Sequence, residues 1–185
     1  MGSLAVATLI GVTGGWWLSS RDNTHTDTLP TPGAGTLPAS EIPVATDLSG
    51  HHLPDATART LTGTAVPLRS LLGQPLILNF WSSTCIPCRK EMPAFEAVHQ
   101  AVGDRVRIVG IDPQDSPDMA TAFAQKMGAS YELLRDSDGS VTAALGVAAL
   151  PTSIFVRPDG TILKSKPGAL SEAQLRSMIN SLFPT

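Results

Sequence analysis

The sequence predicts an α/β domain with a mixed central sheet and helices on both faces. Three observations carry that expectation. Strand-length segments at 75–81 and 105–111 alternate with segments of helical period. Near the C-terminus, two strand-like segments flank Pro158-Asp159-Gly160, a hairpin turn, and a helix follows them. The only two cysteines of 185 residues, Cys85 and Cys88, stand where the first apolar run gives way to a helical pattern.

Residues 1–18 carry no charged side chain and read as one apolar segment. As a helix it extends about 27 Å, close to a hydrocarbon core of about 30 Å, with Trp16 and Trp17 at the interface. A membrane anchor is therefore expected, with a cleaved signal peptide as the alternative. No Ala-x-Ala site follows the run, which speaks against cleavage. Gly2, Gly11, Gly14 and Gly15 weaken the helix, and no Lys or Arg precedes it. Residues 19–50 are rich in Thr, Pro and Gly without a sustained period, and read as an extended linker. The folded domain is expected over 51–185. His51 and His52 are adjacent, so they do not converge on one metal from a regular element, and both read as solvated.

Within the domain, residues 57–61 and 65–68, separated by Thr62-Gly63-Thr64, read as a short N-terminal hairpin. Pro67 confines its second strand to a sheet edge. Residues 69–72 fit a single turn ended by Gly73. Residues 75–81 are almost continuously apolar, which suits a central strand buried on both faces. A helix is expected over 85–102, with Pro93 as the place for a kink, and a strand over 105–111. Ser116, Pro117 and Asp118 supply an N-cap, a first-turn proline and an acid for the next helix, which Gly128 ends. A short strand at 131–134, a turn at 136–139 and a helix of one to two turns at 140–145 follow. Strands at 152–156 and 161–165 form the hairpin, and Ser171 with Gln174 makes a capping box for a last helix to about Phe183.

With a net charge of −3 and no block of Lys or Arg, the chain lacks the basic face that a phosphate backbone requires. Nucleic acid is excluded as a partner. Two cysteines cannot staple a domain, and their C-x-x-C spacing points to redox chemistry or a metal. Zinc needs two more ligands, whereas the histidines are scattered at 25, 51, 52 and 99. No metal and no cofactor are expected. At a helix N-terminus, unpaired N–H groups and the helix dipole favour a thiolate over a thiol.

The run from Asn79 through Trp81, Cys85, Pro87 and Cys88 continues into Arg89-Lys90-Glu91-Met92-Pro93, and Ala149-Leu150-Pro151-Thr152 follows later. Together with the extra helix and strand at 116–134, this pattern resembles the thioredoxin-fold thiol–disulfide oxidoreductases of the ResA/TlpA-like, extracytoplasmic redoxin branch. The resemblance spans about 53–183. It implies a thioredoxin-like fold: a central mixed sheet flanked by helices, an N-terminal hairpin and a central helix–strand insertion. It implies that Cys85 attacks, that the more buried Cys88 resolves the mixed disulfide, and that the Leu150–Pro151 bond is cis beside them. Trp81, Pro87, Leu150 and Pro151 are the expected substrate-binding residues, Trp81 by shaping the loop.

Asn79 stands where cytoplasmic thioredoxins place a buried, titrating acid, so that proton route is closed. Glu91, one turn beyond Cys88 on the same face, is the expected third catalytic residue, tuning thiol acidity and passing protons. A solvated first-turn acid is the alternative. Arg89 and Lys90 pull towards thiolate. His99, more than three turns from the cysteines, reads as a surface residue.

The resemblance implies reduction of specific exported proteins, for example apocytochrome c at a C-x-x-C-His segment, with electrons from a membrane-embedded thiol donor. A disulfide-forming oxidase is the alternative, because direction depends on potential. A peroxiredoxin needs P-x-x-x-T-x-x-C, and a copper carrier of the Sco kind needs C-x-x-x-C and a later histidine; the chain has neither.

Overall fold

The computed structural model describes residues 47–184. The apolar segment at 1–18 and most of the 19–50 linker lie outside the described residues. Among the described residues, no helix is long and apolar enough to cross a membrane. The domain begins earlier than residue 51. The Gly50 N–H donates to the Ile162 carbonyl (2.8 Å), Leu48 packs on the core, and His52 bridges Thr161. Backbone pairing draws 48–53 onto the C-terminal hairpin, while the side chains of His51 and His52 are exposed.

The strands are β1 (Thr57–Thr60), β2 (Ala65–Pro67), β3 (Leu76–Phe80), β4 (Arg107–Asp112), β5 (Glu132–Arg135), β6 (Thr152–Val156) and β7 (Ile162–Pro167). The helices are α1 (Ile86–Val102), α2 (Pro117–Met127), α3 (Ser140–Ala144) and α4 (Glu172–Leu182). They build one seven-stranded sheet in the order β2-β1-β5-β4-β3-β6-β7. β3, β4 and β5 run parallel through the α1 and α2 crossovers, while the hairpins β1–β2 and β6–β7 pair antiparallel at the two edges. This is the thioredoxin-like architecture, with α2 and β5 as the helix–strand insertion.

Boundaries differ from the expected ones where end chemistry decides them. Residues 103–105 form a 3₁₀ turn, so β4 starts at Arg107 rather than 105. The turn at 69–72 is a 3₁₀ turn over Leu68–Leu71. β7 runs on to Pro167, which an edge strand accepts because no partner needs its N–H. The Ser116 cap, the left-handed Gly128 (φ 69°) and the Ser171/Gln174 capping box end their helices as the sequence requires.

β3 is buried along its whole length. Ile77 and Trp81 face a core under α1, α2 and α4, and Asn79 alternates with them on that face. Leu76, Leu78 and Phe80 face a second core closed by α3 and the 68–71 turn. Gly110 on β4 pairs with Asn79, and a Cβ there would meet Leu133 Cδ2 at 2.6 Å and Trp81 Nε1 at 2.8 Å. Gly110→Ala is therefore expected to cost about 1–3 kcal/mol through overpacking, read from the urea midpoint. An unchanged midpoint would contradict the tight seating of Trp81.

His99 is not a free surface residue. It is half-buried and sits edge-on to Tyr131, with ring centroids 6.0 Å apart.

Candidate active site

Cys85 is the N-cap of α1, in extended conformation, and its Sγ accepts from the Cys88 N–H (3.2 Å). The two sulfurs are joined as a disulfide. Cys85 is half-buried, whereas Cys88 has no accessible surface. A sulfur at this cap would, once reduced, receive an N–H and the positive end of the helix dipole, which favours Cys85 as thiolate. Pro87 costs the helix nothing, since first-turn N–H groups have no partner within it.

Glu91 is not a solvated first-turn acid. It is 1% exposed. Its Oε1 accepts from Asn79 Nδ2 (2.8 Å) and its Oε2 from the Leu170 N–H (3.0 Å). Burial pushes its carboxyl up to about 7, against the lowering effect of those two bonds. The Asn79 amide also donates to Ser153 Oγ (3.3 Å), and its Oδ1 has no partner. Asn79 therefore does not titrate, but it holds the acid that does.

Trp81, expected to shape the active-site loop, is fully buried and stacks on Phe123 at 5.4 Å. It shapes the loop from beneath rather than meeting a ligand. The Arg89 guanidinium donates to the Ser83 carbonyl (2.7 and 3.1 Å) and lies over the Phe123 ring at 5.8 Å.

Cys85, Pro87 and Leu150 line one cleft of about 800 Å³ with Thr84, Gln114 and Val147. None of the residues lining it is charged. The Leu150–Pro151 bond is cis. Pro151 itself is buried and its carbonyl accepts from the Gly168 N–H (2.8 Å), so the open wall is the chain leading into it, 147–150. Cys88, Glu91, Trp81 and Pro151 lie below this surface.

Sequence reasoning missed the β4–α2 loop. Its Gln114 lines the cleft, its Asp115 is 5% exposed, and Asp112 at the end of β4 is 1% exposed. Burial, with the neighbouring Asp115 adding to it, pushes Asp112 up to about 6. The available signal was position, since ligands in open α/β sheets meet the loops at the C-terminal ends of parallel strands.

The profile of the AhpC/TSA family matches residues 49–165. The chain belongs to that family. Within it the chain is a ResA/TlpA-like redoxin. It is 27% identical over 136 residues to the thiol-disulfide oxidoreductase ResA of Bacillus subtilis, covering 73% of this chain and 76% of that protein. Among solved structures it is similar to a secreted Mycobacterium tuberculosis disulfide oxidoreductase homologous to Escherichia coli DsbE. That match has 30% identity and a TM-score of 0.62, over 69% of this chain and 96% of the other. The M. tuberculosis DsbF structure gives 32% identity and a TM-score of 0.64, over 69% and 95%. This member of the AhpC/TSA family is a thiol–disulfide oxidoreductase with a thioredoxin fold, and protein thiols and disulfides are its substrates.

Proposed function

We propose that the chain reduces disulfides of specific exported proteins outside the cytoplasm. The Cys85 thiolate attacks a substrate sulfur, forming a mixed disulfide and releasing a substrate thiolate. Cys88 then attacks Cys85 Sγ, frees the second substrate thiolate and leaves the Cys85–Cys88 disulfide. Two electrons pass to the substrate. Glu91, one turn from Cys88, takes up and returns the proton.

The observation that carries the reducing direction is the buried Glu91. A desolvated carboxyl behind Cys88 disfavours a neighbouring thiolate, and an oxidant needs its thiolate stabilised. The cation nearest in sequence, Arg89, is engaged with Ser83 and Phe123 instead.

The uncharged cleft suits an extended peptide whose residues beside the cysteine carry no charge. An apocytochrome c C-x-x-C-His segment with uncharged x residues and a neutral imidazole fits that description. The secreted M. tuberculosis relative supports a location outside the cytoplasm, with residues 1–18 as anchor and a membrane-embedded thiol donor restoring the dithiol.

The test is reduction of oxidised C-x-x-C-His peptides by the reduced protein. Peptides with uncharged flanks are expected to react at least about tenfold faster in kcat/KM than peptides with Asp or Lys flanks, a difference of about 1.4 kcal/mol. Equal rates would remove the cleft from substrate selection, and no turnover of any peptide would remove the reductant reading.

A further inference from the structure

The loop between β3 and α1 delivers Cys85, and after Trp81, whose N–H donates to the Ile111 carbonyl of β4 (3.0 Å), its backbone makes no further bond to a strand among the described residues. Ser83, just ahead of the cysteine, is instead gripped by groups distant in sequence. Asp115, in the β4–α2 loop, accepts from the Ser83 N–H through Oδ2 (2.6 Å) and from its hydroxyl through Oδ1 (2.7 Å). From the opposite side, the Ser83 carbonyl accepts two N–H groups of Arg89 (2.7 and 3.1 Å).

Asp115 is itself fixed. Its N–H donates to Asp112 Oδ1 (3.0 Å), and its carbonyl accepts from Arg135 Nε (3.1 Å) and Nη2 (2.8 Å). Arg135, the cation beside it, therefore serves its backbone and not its carboxylate. Among the described residues no ion pair offsets the burial of that carboxylate, which is 5% exposed. Keeping an anion out of water is unfavourable unless hydrogen bonds replace the lost solvent. The N–H and O–H groups that replace it both belong to Ser83, and the Asp112 carboxyl lies beside it as a neighbouring acid.

We propose that Asp115 is a positioning residue for thiol exchange: through Ser83 it fixes the Cys85 loop over the cleft, and Arg89 closes the same clamp from α1. Exchange requires the attacking sulfur to approach along the axis of the disulfide it breaks. A substrate held in the cleft sets that axis, so the loop must present Cys85 at one place. The Cys85 N–H already closes a tight turn onto the Ser82 carbonyl (3.2 Å), and Ser82 and Thr84 line the cleft. A shift at Ser83 is thus passed directly to the sulfur. The clamp is charge-assisted at both ends, which makes its geometry narrow.

The inference rests on thiol–disulfide exchange at Cys85 and not on the direction of electron flow. It is tested by steady-state exchange with a peptide disulfide, using Ser83→Ala, Asp115→Asn and the double variant in the full chain. Each single variant is expected to lose about five- to tenfold in kcat with KM within twofold, because the substrate still binds but the sulfurs are misaligned. The double variant is expected to lose less than the product of the two single losses, since both changes affect the shared hydroxyl–carboxylate contact. Ser83→Ala deletes one hydroxyl and leaves the N–H bond, so it carries the test alone if Asp115→Asn does not fold. Single variants within twofold of wild type in kcat would overturn the proposal, and so would effects that multiply or a loss confined to KM. A wild-type protein that performs no exchange would instead overturn the redox assignment.

Discussion

Cys85→Ser is expected to abolish turnover, with a loss of at least about 10³-fold, because an alcohol at the helix cap is neither a nucleophile towards sulfur nor a disulfide partner. Cys88→Ser is expected to behave differently. Cys88 has no accessible surface and reaches only Cys85, so its loss leaves the first attack intact and removes the second. Such a variant accumulates a covalent mixed disulfide with substrate, visible by mass spectrometry and cleared by reductant. Trapping by Cys85→Ser rather than by Cys88→Ser would reverse the two roles.

Glu91→Gln is expected to change stability in a pH-dependent way. The unfolded carboxyl titrates near its ordinary value of 4.5, whereas burial raises the folded one to about 7. The fold thus prefers the protonated acid. Its favourable contribution is complete below pH 4.5, declines as pH rises and is gone above about pH 7. A difference of this size corresponds to about 3 kcal/mol.

Glutamine has the shape of the protonated acid and no titration. It can keep the Leu170 bond through its carbonyl. A flipped Asn79 amide, whose Oδ1 has no partner, can then accept from its NH₂. Urea denaturation should therefore show Glu91→Gln gaining up to about 3 kcal/mol on wild type between pH 4.5 and pH 8. The same variant should lower the Cys88 thiol pKa, because it removes the neighbouring negative charge. A stability difference independent of pH would contradict the buried titration.

The site was legible in sequence where local chemistry fixes it. Two cysteines at one helix start, a proline between them and a glutamate three residues on define a face and a spacing that no tertiary contact alters. The same holds for the Ser116 and Ser171 caps, whose partners lie within one turn. Legibility fails where long-range packing decides. Whether Glu91 is solvated or buried depends on Leu170, 79 residues away, and on Asn79 from the sheet. The sequence places Trp81 beside the active-site loop, but not its partners: the side-chain-free Gly110 on β4 and the ring of Phe123, both distant in the chain, decide how deeply it is buried. Asp115 is not marked in the sequence because nothing local points to Ser83, 32 residues away, as its partner.

The most direct test is the reduction potential of the Cys85–Cys88 couple at pH 7, measured by equilibration with glutathione or dithiothreitol. With the desolvated Glu91 carboxyl behind Cys88 disfavouring a thiolate there, a potential below about −200 mV is predicted. A potential above about −200 mV, towards the range of about −120 mV at which a stabilised thiolate makes a protein an oxidant, would contradict the reductant account.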